Sequence, residues 1–201
     1  MGAMSERHLA LFDFDGTLTT RDTMLAYCQH VVGTPRYLLG MLWLGPMLVA
    51  FKAGLLSNDD AKQRMLTHFL GGRTREELRA AAETFVARVE GWLRPEGVAR
   101  LQWHLEEGHD VYLVSASLDV WLSAWASSRG LSLLSTEGLF EDDRFTGRLA
   151  TANCHGAEKV RRVQQVVDPA DYGVIHAYGD SSGDTEMLAL AHEAHFKPFR
   201  S

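Results

Sequence analysis

The sequence predicts an α/β protein, a doubly wound parallel sheet with an inserted helical cap. Three observations carry that prediction. Apolar runs at residues 9–12, 111–114 and 174–178 each end in a loop of small or acidic residues. Strands that end in such loops and feed helices build a parallel sheet, which binds ligands at the carboxyl ends of its strands. Residues 22–89, between the first two runs, read almost wholly as helix, so they interrupt the sheet instead of extending it.

In the first run, Leu9-Ala10-Leu11-Phe12 is continuously apolar, as a buried strand is, and Gly16 turns the chain where Asp13 and Asp15 emerge. Acids at i and i+2 project to the same side of an extended strand. Two carboxylates at a strand's carboxyl end make a metal site or a nucleophile beside an acid; the plainer alternative is an acidic turn that caps the next helix. Within the insertion, Asp22 or Thr23 can start one helix, Asn58-Asp59-Asp60 another and residues 73–77 a third. Residues 95–108 then form the helix that returns the chain to the sheet.

Residues 37–51 carry no charge. They fall short of the roughly 20 apolar residues of a transmembrane helix, and Pro46 breaks or kinks them. Two readings stand: cap helices packed on each other, or Trp43, Leu44 and Phe51 meeting an acyl chain or membrane surface with Arg36 and Lys52 as anchors.

The second strand ends in Ser115-Ala116-Ser117, where the backbone N–H groups of Ala116 and Ser117 are expected to open a helix whose N-terminus attracts anions. Asp119 then has a capping role available. Lys159 opens a basic amphipathic helix. The third run enters Gly179-Asp180-Ser181-Ser182-Gly183-Asp184, and Asp184 begins a helix with Met187, Leu188, Leu190 and Ala191 on its apolar face. His192-Glu193-x-His195 lacks the i, i+4 histidine spacing of a zinc protease helix and reads as a surface pair.

Taken in order, these loops resemble the four motifs of the haloacid dehalogenase superfamily, over the whole chain. Asp13-x-Asp15-Gly16-Thr17 resembles the first, Ser115 the second, Lys159 the third and Gly179-Asp180-x-x-x-Asp184 the fourth. Cys154-x-Gly156-x-x-Lys159 and Asp142-Asp143-Arg144-Phe145-Thr146-Gly147 are similar to its phosphoserine-phosphatase-like branch. One departure is Gly183, where phosphoserine phosphatases usually place Asn; it removes a polar group from the metal's surroundings.

The resemblance implies a Mg²⁺-dependent phosphomonoester hydrolase working through an aspartyl-phosphate on Asp13. It implies a core at residues 4–21 and 90–201 and a helical lid at 22–89. A carboxylate attacks a phosphoryl group only where cations and N–H donors neutralise the phosphate, and a hard divalent ion held by oxygens meets that need. By resemblance, Asp13 is nucleophile and metal ligand, Asp15 gives the metal a backbone carbonyl, Asp180 binds it by its side chain, and Asp184 orients Asp180 or a metal-bound water. Asp15 is also the acid for the leaving alkoxide and then the base for water. Ser115, Ala116, Ser117 and Lys159 hold the phosphate.

Asp22 resembles the acid that holds the amino group of phosphoserine, with helix capping as its equal alternative; Arg21 and Arg36 are candidates to read a carboxylate. The expected substrate is a small phosphorylated metabolite, such as phosphoserine or another amino-alcohol phosphate. The alternatives are a lipid phosphate, read by Trp43 and its neighbours, and a non-catalytic metal- or phosphate-sensing module. Intact Asp13, Asp15, Lys159 and Asp180 argue against the last.

Composition fits this reading. The 201 residues are 46% hydrophobic, enough for a core with an insertion, and the net charge of -6 gives no general attraction to nucleic acid or anionic lipid. The expected partner is a small-molecule ester, without nucleic acid or stable membrane insertion; peripheral membrane contact goes with the lipid alternative, and the chain is expected as monomer or homodimer. Cys28 and Cys154 form no disulfide or zinc pattern, and with no secretory signal visible the expected compartment is the cytoplasm. Met1-Gly2-Ala3 reads as an added leader before Met4, and the chain stops soon after Lys197-Pro198-Phe199, before an expected terminal strand or helix.

Overall fold

Continuous apolar runs suit strands buried on both faces, and residues 9–12 are fully buried in the centre of a five-stranded sheet. The computed structural model describes residues 7–200. The reading of Met1-Gly2-Ala3 lies outside them. The strands are β1 (His8–Phe12), β2 (Asp110–Leu118), β3 (Ser132–Thr136), β6 (Val174–Gly179) and β7 (Glu193–Phe196), in the order β3-β2-β1-β6-β7, all parallel. Ala10 and Phe12 face one apolar cluster with α6 (Pro95–Glu106) and α7 (Asp119–Ser128); Leu9 and Leu11 face another with α8 (Ala157–Val166) and α9 (Thr185–Leu190). Helices on both faces make the sheet doubly wound, as expected.

Between β1 and α6 the chain forms five helices. Asp22 caps α1 (Thr23–Val32) by accepting the Leu25 N–H at 3.1 Å, Ser57 caps α4 (Asn58–Leu70), and Thr74 with Glu77 closes a capping box on α5 (Arg75–Glu90). The uncharged segment divides into α2 (Thr34–Trp43) and α3 (Gly45–Lys52), with Pro46 in the first turn of α3, where its missing N–H costs nothing. Its residues also divide by burial. Leu44 is buried in the core and Tyr37, Met41, Met47 and Leu48 pack against it, whereas Leu42 and Trp43 are each 78% exposed. Leu44 is therefore withdrawn as a lipid contact, because it packs inward at the break between the two helices.

The acidic turn at Asp142 and Asp143, both with positive φ, joins β4 (Gly138–Glu141) and β5 (Arg144–Leu149) into a hairpin. One boundary differs from expectation: α7 opens at Asp119, so Ala116 and Ser117 belong to the end of β2, not to a helix N-terminus. Local hydrogen bonds hold this stretch extended. Ser115 Oγ accepts the Ser117 N–H at 3.1 Å, and the Ala116 carbonyl accepts from Lys62 and Thr136. Among the described residues, no helix is long and apolar enough to cross a membrane.

Candidate active site

Parallel neighbours bring their carboxyl ends together, and β1 beside β6 sets the two acidic loops against each other. Asp13 continues the pairing by donating its N–H to the Tyr178 carbonyl at 2.9 Å. Gly16 has φ 84°, and a Cβ there would lie 2.5 Å from Asp180 Oδ2, so both its backbone and its lack of a side chain let the loops meet. Thr17 donates to Asp180 Oδ1 at 3.4 Å. Carboxylate oxygens of Asp13, Asp180 and Asp184 lie within 4.8 Å of one another, a donor set of hard oxygens suited to Mg²⁺.

Lys159, in the first turn of α8, is buried with Nζ 2.6 Å from Asp13 Oδ1, 2.6 Å from Asp184 Oδ1 and 2.7 Å from the Val114 carbonyl. Burial alone would lower its pKa, but the two carboxylates outweigh this and raise it, so it stays an ammonium. Asp184 spends its other oxygen on the Asp180 N–H at 3.1 Å and on the Ser181 N–H and hydroxyl at 3.0 and 2.9 Å. Against the pull of burial, Lys159 and these donors hold Asp184 below the usual carboxylate range. Asp180 is also paired with Arg200 near the described end of the chain.

Asp13 is pushed up to about 6, chiefly by burial, against the opposing charge of Lys159. Asp15 is half-buried and reaches about 7 through desolvation and then the negative charge of Asp22. It accepts the Thr23 N–H at 2.8 Å, the Thr23 hydroxyl at 3.2 Å and the Ser117 hydroxyl at 2.5 Å. Both hydroxyls can turn to accept from a protonated carboxyl, so this setting serves either protonation state. Thr23 is itself fixed by the Trp121 indole N–H at 3.1 Å.

A cavity of about 270 Å³ joins Asp13, Asp15, Asp22, Ser115, Ala116, Ser117, Lys159 and Asp184. A larger one of about 760 Å³, between α5 and α7, contains none of these groups. Asp22 thus lines the cavity while it caps α1. Arg36 and Trp43 do not line it: Arg36 is exposed, and Trp43 lines a separate surface hollow with Leu39, Leu42 and Pro46. Three polar lining residues went unnoticed in the sequence: Lys62, Asn153 and His155. Lys62 alone left a signal, since it sits in the apolar stripe of Met65, Leu66 and Phe69 on α4, where a lone cation needs a partner. His192-Glu193-x-His195 lies at the surface, with His192 and Glu193 exposed, and is tied to the sheet. His192 Nδ1 accepts the Ile175 N–H at 3.0 Å, and residues 193–196 add the edge strand β7.

The sequence matches the haloacid dehalogenase-like hydrolase family over residues 10–189. It is 37% identical over 198 residues to Protein CicA of Caulobacter vibrioides (strain NA1000 / CB15N), covering 96% of this chain and 86% of that protein. A protein of unknown function from Bordetella pertussis Tohama I superposes with a TM-score of 0.82 at 26% identity, covering 93% of this chain and 88% of its own. A phospho-aspartyl intermediate analogue of phosphoserine phosphatase superposes at 0.59 and 18% identity, covering 93% and 84%. With its parallel sheet and its acidic loops in the order of the motifs, the chain belongs to the haloacid dehalogenase-like hydrolases and has a phosphoserine-phosphatase-like fold.

Proposed function

We propose that this site hydrolyses phosphomonoesters through an aspartyl-phosphate on Asp13. The observation that carries the reading is the convergence of Asp13, Asp180 and Asp184 around one buried lysine. Asp13 and Asp180, with the Asp15 carbonyl, would hold Mg²⁺, whose charge offsets that of the phosphate. An oxygen of Asp13 attacks phosphorus in line, the ester P–O bond breaks, and the protonated Asp15 gives its proton to the departing alkoxide. Asp15 then takes a proton from water as that water attacks the aspartyl-phosphate, releasing phosphate and restoring Asp13. A pKa of about 7 suits both duties near neutral pH. Ser115 and Lys159, both in the cavity lining, would hold the phosphate, and residues 22–89 would serve as a cap over the core.

The cavity volume of about 270 Å³ favours a small ester. A second reading, a lipid phosphate, is favoured by one observation: the exposed apolar faces of α2 and α3 run into Leu48 and Phe51, which line the cavity. The test is phosphate release from a panel of metabolite and lipid phosphates, with Mg²⁺ and with chelator, by the wild type and Asp13→Asn. Turnover that needs Mg²⁺ and disappears in the variant is expected. Full turnover by Asp13→Asn, or after rigorous metal removal, would overturn the reading.

A further inference from the structure

Five of the nine histidines, His8, His104, His109, His176 and His195, pack on or beside β1 and β6, and three of them, His8, His109 and His176, lie toward the amino end of the sheet, away from the carboxylates. His8 begins β1, His109 immediately precedes β2 and His176 lies in the first half of β6, so three adjacent strands each contribute a ring. We propose that His8, His109 and His176 form a second metal site, for a borderline transition-metal ion such as Zn²⁺.

Geometry supports this assignment. His8 Nδ1 and His176 Nε2 face each other at 3.3 Å. Zinc–nitrogen bonds of about 2.0–2.1 Å in a tetrahedral shell place two donors about 3.3–3.4 Å apart. A ligand atom from each of the three histidines lies within 4.8 Å of the others. The ring of His109 stacks on that of His8 at 4.4 Å and lies nearly parallel to that of His176 at 5.9 Å, so binding requires the partly exposed His109 ring to turn and bring Nε2 toward the gap between the other two. His8 and His109 are partly exposed and give the ion a way in, while His176 is buried.

The outer partners match as well. Metal-binding imidazoles usually hold their other nitrogen against a carboxylate or another acceptor, which fixes the tautomer. His176 Nδ1 lies 3.1 Å from Glu193 Oε2. Among the described residues this buried nitrogen has no well-directed hydrogen bond, as expected of a ring that coordination would settle. His109 Nδ1 is 2.7 Å from His104 Nδ1, and His104 Nε2 is 2.9 Å from the Tyr178 hydroxyl. A proton on His109 Nδ1 directed at His104, and one on His104 Nε2 directed at Tyr178, leave His109 Nε2 free to bind. His176, Glu193 and His195 form a competing set, but it would use Glu193 as a ligand and leave no carboxylate on His176.

An ion here ties together the starts of three strands, so its effect is on stability. The test uses the full chain without an affinity tag, stripped of metal and then saturated with Mg²⁺. Calorimetric titration with Zn²⁺ should give one site, and the melting temperature should rise with Zn²⁺. His8→Gln and His109→Gln should each weaken binding by at least about tenfold and Glu193→Gln by about 10–100-fold, while Asp13→Asn binds as the wild type does. His8→Gln should hydrolyse an aryl phosphate at the wild-type rate. No Zn²⁺ uptake in saturating Mg²⁺, uptake lost in Asp13→Asn, or uptake lost in His195→Gln but intact in His8→Gln and His109→Gln would each overturn the proposal.

Discussion

The imidazole of His155 fills the space beside Gly183: a Cβ at residue 183 would lie 2.5 Å from the ring. The glycine that departs from the phosphoserine phosphatase pattern is thus matched by a ring on the facing loop, and both line the cavity that holds Asp13 and Asp15. Gly183→Asn should push His155 aside and cost about 1–3 kcal/mol, as overpacking does. The double variant Gly183→Asn/His155→Ala should recover most of that loss, because the two residues contend for one volume. Urea unfolding of the four proteins in the cycle checks this, and strictly additive effects would refute it.

Lys159 neutralises two buried carboxylates at once, and its loss strands both. Removing one partner from a buried ion pair commonly costs about 3–5 kcal/mol. Lys159→Met should therefore lose both turnover and stability on this scale. Lys159→Met/Asp184→Asn should regain part of the stability but no turnover, since one of the uncompensated charges is gone. Equal unfolding midpoints for the wild type and Lys159→Met would contradict this account.

β1, β2 and β6 were legible because burial on both faces leaves an unbroken apolar run, which the edge strands β3 and β7 lack, and the starts of α1, α4 and α5 because Asp22, Asn58-Asp59-Asp60 and Thr74 are ordinary helix-start residues. Asp13, Asp180 and Lys159 could be found because each stands at or just beyond a strand end or in the first turn of a helix. Asn153 and His155 could not, since their placement depends on how α4 and the 153–156 loop meet across the cavity, which no local pattern encodes; the apolar stripe of α4 signalled that Lys62 needs a partner but not which one. The end of β2 misled for a similar reason: Ser115-Ala116-Ser117 has the composition of a helix start, but contacts from Lys62 and Thr136 keep it extended. The histidine cluster was invisible because its members come from five separate elements or loops.

Lys62 supplies a pH test. Its ammonium donates to the Ala116 carbonyl at 2.5 Å and to Asn153 Oδ1 at 2.8 Å, and burial pushes it down to about 8 against the pull of Asp59 and Asp15. The unfolded side chain titrates near 10.4. Between these values the unfolded chain holds a proton that the folded chain has lost, so this group makes stability rise with pH, by at most about 1.4 kcal/mol per pH unit. Below pH 8 both states are charged and the slope vanishes. The stability of wild type minus that of Lys62→Met should therefore climb from pH 8 to 10 and stay level from 6 to 7.5; a difference that is flat throughout would show that Lys62 titrates normally.

Leu42 and Trp43 decide between the substrate classes, because their 78% exposure separates a binding role from a packing one. Exposed side chains of this kind usually change stability by less than about 0.5 kcal/mol when replaced, so Leu42→Gln/Trp43→Gln should keep the wild-type melting temperature. A small aryl phosphate reaches Asp13 without touching this face, and its turnover should also be unchanged. A long-chain lipid phosphate presented in vesicles would bury both side chains, at about 1.5–3 kcal/mol for each. If lipid is the substrate, kcat/KM on vesicles should fall at least about tenfold, together with vesicle binding. Unchanged kcat/KM and binding on vesicles would remove the lipid reading and leave the small soluble ester that the cavity accommodates.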